Sequence, residues 1–134
     1  MEHNAKVKMP AFSDFLGIKL THVSPERVEA EIVARPEFDN SVGLLHGGVI
    51  MSLADNLGGA ATMANLPEGA QTTTIESKTN FFAGIPLGDT AHAECTALHR
   101  GRTTMVWQTR ITRSDGRLCA TVTQTQLVLM PKKA

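Results

Sequence analysis

The chain has 134 residues, which is enough for one hydrophobic core and too few for two domains of comparable size, so residues 1–134 are assigned to a single domain. Lys plus Arg and Asp plus Glu number 13 each, without a basic run or basic-aromatic interleaving. This balance argues against a nucleic-acid or membrane-surface protein and favours a small-molecule partner. Cys95 and Cys119 lack CxxC spacing and no apolar leader follows Met1, which predicts a reduced, cytoplasmic protein.

The first predicted elements are a loose tail over residues 1–10, a short amphipathic helix over 11–17 and an alternating strand over 28–34. A long apolar helix over residues 47–64 follows, and it is expected to be buried nearly all round. Period-2 patterns rich in Thr, Val and Ile then predict four further strands, at residues 72–82, 90–99, 103–112 and 117–129.

The connections between the last three strands are short and carry turn-forming residues, at Arg100-Gly101-Arg102 and Ser114-Asp115-Gly116. These strands should therefore be hairpin neighbours in an antiparallel sheet. One long apolar helix with such a sheet predicts an α+β fold in which the sheet curls around the helix. The small residues at 58–61 would let the sheet approach the helix closely.

Asp55 is the only charged residue in the helical stretch 46–65, which consists mainly of Gly, Ala, aliphatic residues and Met. Burial of an unpaired carboxylate costs several kcal/mol, so a purely structural core would not select one. A local hydrogen bond or a narrow solvated strip is the structural alternative. The position is otherwise a candidate for an acid-base or nucleophilic group.

Gly47 and Gly48 follow His46 where the apolar run begins, and they predict a helix start with unpaired backbone N–H groups open to a ligand. Such a terminus can stabilise an oxyanion. Asn40 and His46 add polar groups that could orient a carbonyl or a water molecule. A simple turn is the alternative for the Gly-Gly pair.

A metal site is not expected. His92, Cys95 and His99 lie in an alternating strand, where odd and even positions face opposite sides of the sheet. The sequence also lacks a G-x-S-x-G motif, which leaves Asp55 as the candidate centre.

The residues that carry a family resemblance are Asn40, LLHGGVIMSLAD (44–55), TIESKTNF (74–81), LGD (87–89), HRGRTTMVWQ (99–108) and DGRLCA (115–120). Together they resemble the PaaI-like hotdog-fold acyl-CoA thioesterases, and the similarity extends over most of the chain. The motif of HGG followed eight residues later by an acidic residue is fairly specific. The sequence around Glu76 and Asn80 is most similar to the branch that hydrolyses aromatic acyl-CoA thioesters such as 4-hydroxybenzoyl-CoA, although that branch often has Glu where this chain has Asp55.

The resemblance implies a hotdog subunit in a homodimer that pairs into a dimer of dimers. Asp55 matches the catalytic nucleophile or general base, and Gly47 matches the backbone N–H that polarises the thioester carbonyl with the assistance of His46. Asn40 matches the side chain that positions the thioester or the water. Thr74 aligns with a supporting Ser or Thr, with Thr73 as the other candidate.

Arg100, Arg102 and Thr103 surround the Gly101 turn and are the predicted contacts to the CoA phosphates, with a solvated turn as the alternative. No cofactor is expected, since CoA is part of the substrate. Trp107 and Phe81 or Phe82 are weaker candidates for an acyl pocket, because aromatic residues in alternating strands are more often core.

The predicted reaction is hydrolysis of an aromatic or medium-chain acyl-CoA. Two other functions remain open, a non-catalytic acyl-CoA-binding protein and a hotdog enoyl-thioester hydratase. Gly47 and Asp55 are eight residues apart, or about 12 Å along one helix, so one thioester carbonyl cannot touch both. The sequence therefore predicts shared active sites, with Asn40, His46 and Gly47 of one subunit opposite Asp55 and Thr74 of its partner.

Overall fold

The structure is a computed structural model, and it describes residues 7–132. Two α-helices, one short 3-10 turn and six strands make up the fold. In chain order they are α1 Ala11–Leu16, β1 Lys19–Val23, β2 Arg27–Val33, the 3-10 turn Pro36–Phe38, α2 Gly47–Met63, β3 Gln71–Phe81, β4 Thr90–Arg100, β5 Thr104–Thr112 and β6 Leu118–Leu129.

The six strands form one antiparallel sheet in the order β1-β2-β4-β5-β6-β3. Helix α2 contacts strands β2 to β6, so the sheet wraps around one side of it. The α+β hotdog architecture is therefore confirmed. The hairpin neighbours predicted for the last three strands are also confirmed, because β4 pairs with β5 and β5 with β6.

Strand β1 was not predicted. It has five residues, KLTHV, all of them exposed or half-buried, so it shows little of the alternation that identifies the longer strands. It forms the edge of the sheet beside β2, and pairing with β2 rather than its own pattern makes it a strand.

The core lies between α2 and the inward face of the sheet. Leu53, Leu57 and Ala61 of the helix and Trp107 and Ile111 of β5 are fully buried. Strands β4 to β6 alternate buried and less buried residues along most of their length, as the period-2 pattern predicts.

The expectation that α2 is buried nearly all round was wrong for the single chain. Gly48, Met51 and Asp55 are exposed and form a stripe at helical spacing. The reason is that the sheet covers only one side of the helix. Gly58 is buried against the sheet as expected, whereas Gly59 faces open space, with no atom within 4 Å of where a Cβ would lie.

The predicted loose tail needs a partial correction. Residues 1–6 lie outside the described part of the chain. Val7 and Met9 pack against the core instead of extending away from it.

No helix within residues 7–132 is long and apolar enough to span a bilayer.

Candidate active site

The Asp55 carboxylate is held through one of its two oxygens. Its Oδ1 accepts hydrogen bonds from Thr74 Oγ1 at 3.0 Å and from Gln124 Nε2 at 2.9 Å. The other oxygen, Oδ2, has no donor within residues 7–132, and no Lys or Arg of this part of the chain forms an ion pair with Asp55. Because Asp55 lies on the exposed helix stripe, its charge is solvated rather than buried. One oxygen is thus positioned and the other is available to a ligand or a water molecule.

His46 caps the start of α2. Its Nδ1 accepts a hydrogen bond from the Gly48 N–H at 2.8 Å, so the neutral ring carries its proton on Nε2. The Gly47 N–H has no acceptor among the described residues. A Cβ at Gly47 would lie 3.1 Å from Phe81 Cζ, so a side chain there would require the exposed Phe81 ring to shift by a few tenths of an ångström. Among the described residues the start of α2 therefore presents one unpaired backbone donor, at Gly47, whereas the predicted donor at Gly48 is paired with His46.

Asn40 organises the loop that leads into this helix. Its Oδ1 accepts hydrogen bonds from the Val42 N–H at 3.0 Å and the Leu44 N–H at 3.2 Å. Within the described chain its Nδ2 has no acceptor, and this amide group is therefore free to donate to a ligand.

Four of the predicted catalytic residues line two separate cavities of the single chain, and His46 lines neither of them. Asn40 and Gly47 line a cavity of about 380 Å³, walled by Phe81 and Phe82. Asp55 and Thr74 line another of about 420 Å³. Gly47 and Asp55 both belong to α2, which puts them about 12 Å apart along the helix axis. One chain therefore does not bring the backbone donor and the carboxylate together.

The hydroxyl of Thr74, rather than that of Thr73, contacts the carboxylate. Thr74 Oγ1 lies 3.0 Å from Asp55 Oδ1 and 2.6 Å from Gln126 Oε1, and with one proton it can donate to only one of them at a time. Thr73 lines the same cavity, but its hydroxyl makes no hydrogen bond to a residue in the range 7–132. This geometry favours Thr74 as the supporting residue.

Sequence reasoning missed two glutamines of β6. Gln124 and Gln126 are almost fully buried and belong to the network around Asp55. They occupy inward positions between the buried Val122 and Val128. Polar residues at consecutive core positions of a strand were the available signal, because a structural core would place apolar residues there.

The two arginines of the Gly101 turn differ in their surroundings. Arg100 Nη1 donates to the Pro25 carbonyl oxygen at 3.2 Å and to Asn65 Oδ1 at 3.3 Å. Arg102 is exposed and has no polar partner in the described residues, and Thr103 is exposed beside it. Of the two arginines, Arg102 is therefore the one whose guanidinium has no polar partner in residues 7–132.

Trp107 is a core residue and does not line either cavity. It is fully buried, and its Nε1 donates to Thr62 Oγ1 at 2.9 Å.

Burial raises the pKa of the Cys95 thiol to about 12, which fits a small buried apolar residue. In residues 7–132 no group of three or more His, Cys, Asp and Glu side chains is placed to hold a metal ion.

Comparison with known proteins agrees with the fold. The model of the Thioesterase superfamily matches residues 42–120, more than half of the chain. Proofreading thioesterase EntH of Klebsiella pneumoniae is 31% identical over 79% of this chain and 77% of its own length. The 1,4-dihydroxy-2-naphthoyl-CoA hydrolase of Escherichia coli K12 is 29% identical over 86% of this chain and 84% of its own.

A solved structure gives the same result. A mutant of thioesterase PA1618 from Pseudomonas aeruginosa superposes with a TM-score of 0.83 at 28% identity, over 88% of this chain and 85% of that one. These similarities confirm the resemblance to PaaI-like and 4-hydroxybenzoyl-CoA-type hotdog thioesterases. The chain belongs to the thioesterase superfamily and is a thioester-hydrolysing enzyme.

Proposed function

We propose that this enzyme hydrolyses acyl-CoA thioesters to the free acid and CoA, with Asp55 as the nucleophile or general base. The observation that supports this role is the asymmetry of the carboxylate, whose Oδ1 is held by Thr74 and Gln124 while Oδ2 has no donor in residues 7–132. A positioned carboxylate with one open oxygen can attack a carbonyl carbon or take a proton from water.

The start of α2 supplies the complementary group. Attack on the thioester carbonyl produces a tetrahedral intermediate with a negative oxygen, and collapse of that intermediate expels CoA as the thiolate. The unpaired Gly47 N–H is suited to hold this oxygen, with His46 Nε2 as a further donor. The free Asn40 amide group can orient the thioester or the attacking water.

The active site is shared between two subunits of a homodimer in this proposal. The 12 Å between Gly47 and Asp55 requires a second chain to complete each site. Two exposed surfaces are available for pairing, the α2 stripe that contains Met51 and the edge strand β3, in which Ile75 is 57% exposed. Antiparallel pairing of two α2 helices would oppose the start of one to the middle of the other. Two such dimers would then form the dimer of dimers.

A named relative supports a choice of substrate class. The Escherichia coli relative acts, by its name, on an aromatic acyl-CoA, 1,4-dihydroxy-2-naphthoyl-CoA. An aromatic acyl group is therefore the first candidate, and a medium-chain group the second. The phosphates of CoA would bind at Arg102 and Thr103, whose side chains are exposed.

The test is the Asp55→Asn variant, assayed by thiol release from a panel of aromatic and aliphatic acyl-CoA thioesters. Asparagine keeps the shape and an acceptor for Gln124 but removes the charge, so kcat should fall by about 10²–10⁴-fold with little change in KM. Mass spectrometry must exclude deamidation back to Asp. Turnover near that of the wild type would contradict the role of Asp55, whereas a wild-type protein that binds acyl-CoA thioesters without releasing thiol would be a binding protein. Hydration of an enoyl-CoA would favour the hydratase.

A further inference from the structure

We infer that Gln124 is a positioning residue, which holds the Asp55 carboxylate in one orientation, and that Gly58 is required to make room for it. The inference rests on the proposed role of Asp55. Gln124 lies on β6, 69 residues further along the chain, and its side chain reaches across the core to the helix.

Both protons of the Gln124 amide have well-placed acceptors. Nε2 lies 2.9 Å from Asp55 Oδ1 and 2.7 Å from Gln126 Oε1. The reversed amide would bring Oε1 against these same two oxygens, which only accept hydrogen bonds. The network therefore determines the orientation of the amide, with its donors toward Asp55.

Gln126 and Thr72 hold the Gln124 amide group on the side away from Asp55. Gln126 Nε2 donates to Thr72 Oγ1 at 3.0 Å, and Thr72 Oγ1 donates to the Leu127 carbonyl oxygen at 2.9 Å. The Gln124 amide thus donates in two directions, to the Asp55 carboxylate and, through Gln126 and Thr72, toward the backbone of β6. Each member has its orientation set by the next, so Asp55 has a fixed rather than an adjustable partner.

Gln124 is not explained by core packing. It is 1% exposed, and its Oε1 is buried without a hydrogen-bond partner in the part of the chain that the structure describes. An unpaired buried carbonyl oxygen is destabilising, and an apolar side chain would avoid that cost. A glutamine at this position is therefore best explained by what its nitrogen does for Asp55.

Gly58 supplies a second, independent observation. A Cβ at this position would lie 2.5 Å from Gln124 Cδ and 2.7 Å from its Nε2. Glycine inside a helix is destabilising relative to alanine, so the helix accepts a local cost one turn after Asp55. That cost creates the space in which the Gln124 amide lies against the helix.

The experiment replaces Gln124 by Met, which matches its length and has no donor. We expect kcat to fall about 10- to 100-fold with little change in KM, because the carboxylate is still present but no longer held. Gly58→Ala should lower kcat similarly by displacing the amide. The loss in the double variant should be smaller than the product of the two single losses, because both changes remove the same contact.

Thr62→Val is the matched control. It removes two buried hydrogen bonds of α2, the one that Thr62 Oγ1 accepts from Trp107 Nε1 and the one that it donates to the Gly58 carbonyl oxygen, and it contacts neither the Asp55 carboxylate nor the Gln124 amide. It should lower the unfolding midpoint and leave kcat unchanged. A merely structural role for Gln124 would give the same result, a lower midpoint with wild-type kcat, and would overturn the inference.

Comparison with the single variant Asp55→Asn distinguishes a failure of this inference from a failure of the proposed function. If Asp55→Asn is inactive and a folded Gln124→Met enzyme retains wild-type kcat, only the positioning role is wrong. If Asp55→Asn is itself active, the proposed role of Asp55 is wrong, and the positioning role of Gln124 is wrong with it. Should Gln124→Met fail to fold, Gly58→Ala decides, because a folded Gly58→Ala enzyme with wild-type kcat would equally overturn the role.

Discussion

Mixed dimers test the shared active site most directly. One subunit would carry Asp55→Ala, which removes the carboxylate. The other would carry Asn40→Asp and His46→Asn, which remove the free amide donor and the imidazole. These two changes keep an acceptor for the Val42 and Leu44 N–H groups and a cap for the Gly48 N–H. Each variant alone should fold, dimerise and be nearly inactive.

The expected recovery follows from the geometry. In a mixed dimer, one site pairs the unaltered Asn40 and His46 with Asp55 and is intact, while the other site contains all three changes. Tandem purification isolates the mixed dimers, in which one of the two sites is intact, so the activity per dimer should rise to about half of the wild-type value. If one chain instead contained a complete site, every chain in the mixture would be defective and nothing would recover.

The assay is thiol release from an acyl-CoA that the wild-type enzyme hydrolyses, after co-expression with two affinity tags and tandem purification. Native mass spectrometry establishes that both variants are present in one dimer, and circular dichroism that both are folded. Verified mixed dimers with no recovered activity would refute the shared site. They would also contradict the antiparallel helix pairing that is proposed to assemble it.

Two further predictions concern the CoA contact and the core. Arg102→Ala should raise KM for CoA thioesters and hardly affect KM for pantetheine thioesters, which lack the nucleotide phosphates. An equal loss of kcat/KM on both substrates would mean that Arg102 has a structural role. Added salt should raise the wild-type KM for CoA thioesters, because it screens the contact to the phosphates. Thr62→Val should lower the free energy of unfolding, measured by urea denaturation, by about 1–3 kcal/mol, because it leaves the buried Trp107 Nε1 without an acceptor. An unchanged free energy would mean that another acceptor replaces the hydroxyl.

Several features of the protein could be predicted from the sequence alone, because their signals are local. The apolar run of α2, its Gly47 start and the lone charge at Asp55 lie within twenty consecutive residues. Strands β2, β4, β5 and β6 have period-2 patterns, and short turns connect the last three of them. Such features depend on propensities and spacings that act between near neighbours in the chain.

Other features were decided only by the tertiary structure. Strand β1 has no strong pattern and exists because β2 offers it an edge. The exposure of Asp55 depends on which side of α2 the sheet covers. Gln124 reaches Asp55 across 69 residues of sequence, and its side chain faces the helix only through the register of β6 between β5 and β3. A one-residue shift of that register would turn Gln124 to the opposite face of the sheet, so no local pattern in the sequence could identify this contact.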